Sequence, residues 1–212
     1  MRFRLWQADT YAVSSRFAAC CRYGFINDYA WLAGLSTITG GAGADSLTGE
    51  AGEDTFVYSA VAQGGNVADA AATALTAGDV IADFVSGTDK LNYQATAEGT
   101  NVVVSDGATA INLDTAGVVI VNTSLDFTAG TTTWADIVAA LNTAGNNDFS
   151  GSEGTVAYFA VLDDNGADPD QYNVFEVTVD DDIDGEALSE VADTGSLVST
   201  VTATLVAGDF IL

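Results

Sequence analysis

Histidine is missing from all 212 residues, and its absence removes two large classes of chemistry. A serine or cysteine triad has no imidazole base, and a zinc site has no imidazole ligand. Positive charge is nearly as scarce: 5 Lys+Arg stand against 30 Asp+Glu, a formal net charge of -25. Nucleic-acid phosphates find no basic footprint here, and an anionic membrane surface is disfavoured. No apolar run reaches the roughly 18 residues of a membrane span. The chain has one proline, Pro169, and two cysteines, the adjacent Cys20 and Cys21, which set no disulfide framework. What it does have is 48% hydrophobic residues. An acidic disordered tail would lack such material for a core. The acidity then has three readings. It keeps the protein soluble, it reflects a salt-rich habitat, or it attracts hard cations, since calcium prefers carboxylate and carbonyl oxygens.

The charge is unevenly divided. Residues 1–33 hold all four arginines (Arg2, Arg4, Arg16, Arg22) and only two acids, Asp9 and Asp28. Residues 34–212 carry one lysine, Lys90, against 28 acids, a formal charge of about −27. No apolar stretch followed by a small-residue cleavage site marks a secretory leader in 1–33. This atypical N-terminal segment reads as an artefact of an upstream start or frame, or as the remnant of a longer protein.

The strongest pattern follows. Gly40-Gly41-Ala42-Gly43-Ala44-Asp45-Ser46-Leu47-Thr48 runs without a gap into Gly49-Glu50-Ala51-Gly52-Glu53-Asp54-Thr55-Phe56-Val57. Both units have glycine first and fourth, aspartate sixth and a large apolar residue eighth. Gly34-Leu35-Ser36-Thr37-Ile38-Thr39 is a worn third copy, with Ser36 at the aspartate position. The glycines suit turns that visit backbone angles a Cβ forbids. The closing triplets, Ser46-Leu47-Thr48 and Thr55-Phe56-Val57, read as short strands with the middle residue inward. A lone glycine-rich turn is usually a plain loop, but two in tandem with the apolar residue in register are not.

This pattern resembles the nonapeptide of RTX (hemolysin-type) proteins, G-G-x-G-x-D-x-U-x, which builds a calcium-binding parallel β-roll. The resemblance implies that two nonapeptides make one coil and that calcium sits between turns one coil apart. Gly41, Gly43, Asp45, Gly52 and Asp54 are then candidate ligands, the glycines through their carbonyls. The turn at 31–36 faces the turn at 49–54 but lacks its aspartate. The turn ending at Asp45 would need a partner near 58–63, where Tyr58-Ser59-Ala60-Val61-Ala62-Gln63 does not fit. Both sites therefore read as half-sites.

Val67–Thr76 reads as a short helix or a loose insertion. Asp79 to Leu91, with its Gly87-Thr88-Asp89 turn, resembles the strand, turn and strand that cover the open end of an RTX roll. A solenoid needs such a cap, because its last coil cannot bury its own apolar face. The resemblance makes Asp79, Asp83 and Asp89 candidate calcium ligands; otherwise they are solvated edge and turn acids.

Beyond residue 100 the resemblance is loose. Thr100–Ser105, Ala108–Leu113 and Val118–Asn122 read as a β-meander, with Asp106-Gly107 as a hairpin signal. Residues 133–144 read as a helix. Thr133 is its N-cap with Asp136 in a variant capping box, and Trp134, Ile137, Val138 and Leu141 form its buried face. Thr155–Leu162 and Tyr172–Val179 read as strands. Asp180, Asp182 and Asp184, before Gly185, match the first half of an EF-hand loop. The closing acid falls at Glu190 instead of Val191, and the flanking segments read as strand. That leaves a single weak calcium site or an acidic turn that stays wet. The chain ends Asp209-Phe210-Ile211-Leu212. An aspartate before terminal apolar residues resembles the uncleaved C-terminal signal of type I secretion substrates, and it also suits a docked last strand.

The expected fold is mostly β: a short parallel β-roll, a calcium solenoid, with capping strands and a β-rich C-terminal portion carrying one helix. The expected segments are 1–33, a roll and cap over 34–99, and a C-terminal region over 100–212. The resemblance implies a secreted, extracellular module that binds Ca2+. It would pass the type I secretion machinery loosely folded and fold on external calcium. No enzymatic role is expected. One alternative is an S-layer or adhesin-type domain that self-associates at a cell surface through calcium. Another is a hydrolase working through paired carboxylates, although no acid sits in a recognisable catalytic motif.

Overall fold

The computed structural model describes residues 34–60, 63–64, 74–105, 107–122, 125–144, 148–163, 171–180, 183–188 and 194–212, and the backbone of 18–20. Side chains of Ala144 and Asp184 fall outside that description. In chain order the first strands are β1 (Ala18–Cys20), β2 (Thr37–Thr39), β3 (Ser46–Leu47), β4 (Thr55–Val57), β5 (Asp79–Ile81) and β6 (Lys90–Asn92). They alternate between two sheets, as a roll requires. β2, β4 and β6 lie parallel in one sheet, with β1 beside β2, and β3 and β5 lie parallel in another. The middle residue of each triplet points inward: Leu47 and Phe56 are buried, and Ile38 packs beside them.

Next come β7 (Asn101–Ser105), β8 (Ile111–Asn112), β9 (Ala116–Val121), helix α1 (Trp134–Ala144), β10 (Phe149–Gly151) and β11 (Val156–Asp163). β12 (Gln171–Thr178), β13 (Ile183–Glu186), β14 (Thr194–Thr202) and β15 (Phe210–Ile211) complete the chain. The run 100–122 is not a meander. β7 pairs with β9 in parallel, while β8 crosses to a separate three-stranded sheet with β10 and β13. Gly107 does turn with a positive φ of 67°, but the chain leaves the sheet there instead of folding back. The unbroken burial of Ala116–Val121 gives the physical reason. A strand covered on both faces is built by crossover, and it reads as a continuous apolar run.

The seven-stranded sheet, ordered β3-β5-β14-β12-β11-β9-β7, is the spine. One face packs against the five-stranded sheet around Phe56, Ile81, Leu91, Tyr158 and Val174. The other packs against α1 and the small sheet around Trp134, Leu141, Phe149, Phe159 and Phe175. β14 pairs with β5 and β15 with β6, so the segments 34–99 and 100–212 share both large sheets. The hairpin of β11 and β12 forms as its sequence suggests, from Val156 opposite Thr178 to Asp163 opposite Gln171.

The helix start also forms as expected. The Thr133 backbone N–H donates to Asp136 Oδ2 (2.9 Å), and the Thr133 hydroxyl donates to the same oxygen (2.7 Å). Hydrogen bonds from Thr133 hold the Asp136 carboxyl below its ordinary range. Thr133→Ala removes half of this cap and is expected to cost about 1 kcal/mol. Thermal melting would show it as a small downward shift. Trp134 lies fully buried over Gly195, where a Cβ would stand 2.2 Å from its ring. The expected helix or insertion at 67–76 lies mostly outside the described residues, as does the N-terminal segment apart from β1. Among the described residues no helix is long and apolar enough to cross a membrane.

Candidate metal centre

The aspartates of the roll stack in two columns, one at each turn. In the first column the Ser36 N–H donates to Asp54 Oδ1 (2.9 Å), 18 residues on. The Asp54 N–H in turn donates to Asp89 Oδ1 (3.0 Å), 35 residues on. In the second column the Asp45 N–H donates to Asp79 Oδ1 (2.9 Å), 34 residues on. Each carboxylate thus clasps the backbone of the coil before it. The longer steps arise because the stretch between β4 and β5 lengthens one coil. The turns at 34–36 and 49–54 stack as the repeat implies: the Gly34 N–H donates to the Ala51 carbonyl, and the Thr55 N–H to the Ser36 carbonyl.

The glycines do two separate jobs. Gly41, Gly43 and Gly52 hold positive φ of 97°, 105° and 144°, angles that a side chain resists. Gly40 and Gly49 clear space. A Cβ at Gly40 would stand 2.7 Å from Asp79 Oδ2 and 3.1 Å from Asp45 Oδ2, and one at Gly49 would stand 2.6 Å from Asp54 Oδ2. The first glycine of each nonapeptide is therefore where the carboxylate of the turn comes to lie. Ligand candidates chosen from the sequence include Gly41, Gly43 and Gly52 but not Gly40 or Gly49. The repeat pattern marks all five alike, so only the packing separates them.

Three carboxylate oxygens in these columns are buried without a hydrogen-bond partner: Oδ2 of Asp45, Asp54 and Asp79. Asp79 is fully buried, and burial pushes its carboxyl up to about 7. The neighbouring Asp45 charge adds to that rise, and the Asp45 N–H opposes it. Burial likewise raises Asp54, against the hydrogen bond from Ser36. Buried carboxylates normally find a donor, a cation or a proton. The one cation after residue 33 does not serve here, because Lys90 Nζ donates to the Gly208 carbonyl (2.7 Å).

The other expected ligands are occupied or lie elsewhere. Asp83 accepts the N–H groups of Gly49 (3.1 Å) and Glu50 (2.7 Å), so it braces the turn from outside. Asp89 uses its second oxygen to accept from the Val85 N–H (2.7 Å). Asp180 is exposed just beyond β12. Asp182 and the Asp184 side chain lie outside the described residues, while strand β12 (Gln171–Thr178) occupies the place where an EF-hand needs its entering helix. Asp209, which the repeat does not mark, is a further buried carboxylate at the end of the roll, one residue out of register with the first column because Phe210 pairs with Leu91. It is fully buried, and its carboxylate accepts from the Gly87 N–H (2.7 Å), the Ser86 hydroxyl (2.8 Å) and the Val206 N–H (2.9 Å). The signal for it is faint: Gly208-Asp209-Phe210 shortens the Gly-x-Asp-x-apolar rhythm of the repeat by its spacers.

The donor set suits a hard cation. Among the described residues no three acid, cysteine or histidine side chains gather to hold a metal. What the Asp45–Asp79 turn provides is two carboxylate oxygens and the carbonyls of glycine-rich backbone. All of these are oxygen ligands of the kind calcium takes, with none of the nitrogen or sulfur donors zinc prefers. Residues 33–111 match the family model for the Peptidase M10 serralysin C terminal. The match covers less than half of the chain, and it spans both aspartate columns up to Asp89. The chain carries a region of RTX-type calcium-binding repeats. That family is associated with type I secretion substrates. No curated protein matches the chain.

Proposed function

We propose that this protein is a non-enzymatic RTX-type module that leaves the cell by type I secretion and folds on extracellular calcium. The observation that carries the reading is the Asp45–Asp79 pair, two acidic side chains stacked one coil apart, each with a buried oxygen that has no partner. Asp79 and Asp45 would hold the ion, with turn carbonyls completing its shell. Bound calcium supplies the positive charge that two adjoining carboxylates, each with a buried oxygen, lack. Where calcium is scarce, those carboxylates and the formal charge of -25 oppose compaction. Where it is plentiful, the ion binds the native turns and not the unfolded chain, and mass action favours folding.

The test is circular dichroism and thermal melting of the full chain, with calcium and then with chelator. One site at a hundredfold excess over its Kd contributes about 2.7 kcal/mol. For a chain of this size that raises Tm by roughly 5–10 °C. Identical melting curves with and without millimolar calcium would sink the proposal.

A surface-assembly role is the second reading. It is favoured by β7, an edge strand with Val104 53% exposed and no charged residue along it. An edge strand without charges can pair with another chain. Sedimentation that shows a monomer at every calcium concentration removes this reading and leaves the first intact.

A further inference from the structure

Behind the Asp45–Asp79 pair, inside the roll, lies a knot of hydroxyl groups set back from the ion's own ligands. Asp45, Asp79 and Ser199 occupy successive rungs of one column, since Ser46 pairs with Val80 and Asp79 with Ser199. The third rung thus replaces a carboxylate by a hydroxyl. Tyr58, just after β4, and Tyr93, just after β6, fill the space beside it, and both are buried. Their rings stack at 5.2 Å, and Tyr93 stacks on Tyr158 at 4.0 Å. The Tyr58 hydroxyl faces both the Asp79 carboxylate and Ser199, and the Tyr93 hydroxyl faces Ser199. Yet none of Tyr58 Oη, Tyr93 Oη, Ser199 Oγ and Asp79 Oδ2 closes a well-formed hydrogen bond. Tyr158 differs: its hydroxyl donates to Glu176 Oε2 (2.8 Å) and lies 2.7 Å from Thr96 Oγ1.

A hydroxyl buried without a partner is destabilising, and phenylalanine would preserve both rings and their stacking. One such hydroxyl, Tyr58, stands against a ligand carboxylate, with those of Ser199 and Tyr93 behind it, an arrangement that ring packing alone does not require. We propose that Tyr58 is a positioning residue for the ion, donating its hydroxyl proton to the Asp79 carboxylate while that carboxylate binds the cation. Ser199, faced in turn by Tyr93, holds the Tyr58 hydroxyl in that orientation. Partners of this outer kind fix the direction of a ligand and keep it charged, and their loss commonly weakens metal binding tenfold or more. The inference rests on the calcium reading of the Asp45–Asp79 turn.

Tyr58→Phe tests it, by calcium titration in a calorimeter and by melting in chelator. The expected result is about tenfold weaker calcium binding with the melting temperature in chelator unchanged or higher. Loss of packing alone would lower both. The calcium-induced change in near-ultraviolet tyrosine absorption is expected to shrink as well. Ser199→Ala reaches the same hydroxyl from another strand and is expected to weaken binding in the same direction, by less. Parent-like affinity in the Tyr58 variant, or in the Ser199 variant where the first does not fold, overturns the proposal. Failure of the parent itself to bind calcium overturns the reading beneath it, a separate and recognisable outcome.

Discussion

Without calcium, the protein is expected to lose stability as pH rises from about 4 to about 7, and saturating calcium is expected to abolish that trend. The cause is Asp79. Its carboxyl titrates near 3.8 when exposed and is pushed up to about 7 in the fold, mainly by burial and then by the charge of Asp45. A group whose folded value is raised binds its proton more tightly in the native state. Its contribution to stability is therefore complete below the unfolded value and is lost as pH climbs through the folded one. For this one side chain the loss is on the order of 4 kcal/mol. Asp54, also raised by burial, acts in the same direction. Asp114 acts in the opposite direction. Hydrogen bonds from Ser152 and Thr155 lower its carboxyl, so its contribution is lost only as pH falls below the ordinary carboxylate range. Melting series in chelator between pH 4.5 and 7.5, a window set by these directions, therefore isolate the raised carboxyls, chiefly Asp79 of the Asp45–Asp79 pair. Calcium competes with the proton for the same oxygen, so its binding near pH 7 should release protons measurably into buffer. Asp79→Asn is expected to flatten the pH slope and to remove the proton release. A parent protein whose Tm in chelator is level or rising over this window would refute the account.

That pair also marks the limit of what could be read from the sequence. The repeat announces its period, its turn glycines and its inward residues, and Leu47 and Phe56 are buried as the pattern implies. It also shows that Ser36 stands in the aspartate column, where the Ser36 N–H indeed bonds to Asp54. Counting one coil on from Asp45 leads to Tyr58–Gln63 and finds no ligand, but the partner is Asp79. Strands pair by register and not by distance along the chain. Ala42 bridges to Gly64 at the start of that turn, and Gly78 packs against the Val198 carbonyl just before Asp79. An insertion between those points adds only a logarithmic entropic cost. Of the three cap aspartates, the sequence gives no means of ranking them. The fold does so by supplying backbone donors to both oxygens of Asp83 and Asp89 and to only one of Asp79. The parallel pairing of β7 with β9 was hidden for a related reason: a turn dipeptide reports a local bend and not the sheet to which the chain returns.

Deleting Ala207–Leu212 is expected to unfold the roll end, although the segment is only six residues long. β15 is the last rung of the five-stranded sheet, with Phe210 opposite Leu91 and the Tyr93 N–H donating to the Ile211 carbonyl. The deletion removes the Asp209 carboxylate from three donors and takes the Gly208 carbonyl from Lys90. It also uncovers Leu91 and Tyr93 by removing Phe210, which is 9% exposed and stacks on Tyr93 at 6.4 Å. Hydrogen bonds to a charged group contribute about 1.5–3 kcal/mol each, and burying a phenylalanine about 2 kcal/mol. The sum exceeds about 5 kcal/mol, within reach of the whole stability of a domain. Calcium at the Asp45–Asp79 turn should then fail to restore a cooperative melt, because the coil beyond it lies open. Asp209→Asn keeps the apolar end and should cost less than the deletion. A truncated chain that melts within a few degrees of the parent would show that β15 does not close the roll. The same residues carry the likeness to an export signal, so a secretion defect after truncation would mix lost recognition with lost folding. Asp209→Asn separates the two, because it weakens the rung while leaving Phe210, Ile211 and Leu212 at the terminus.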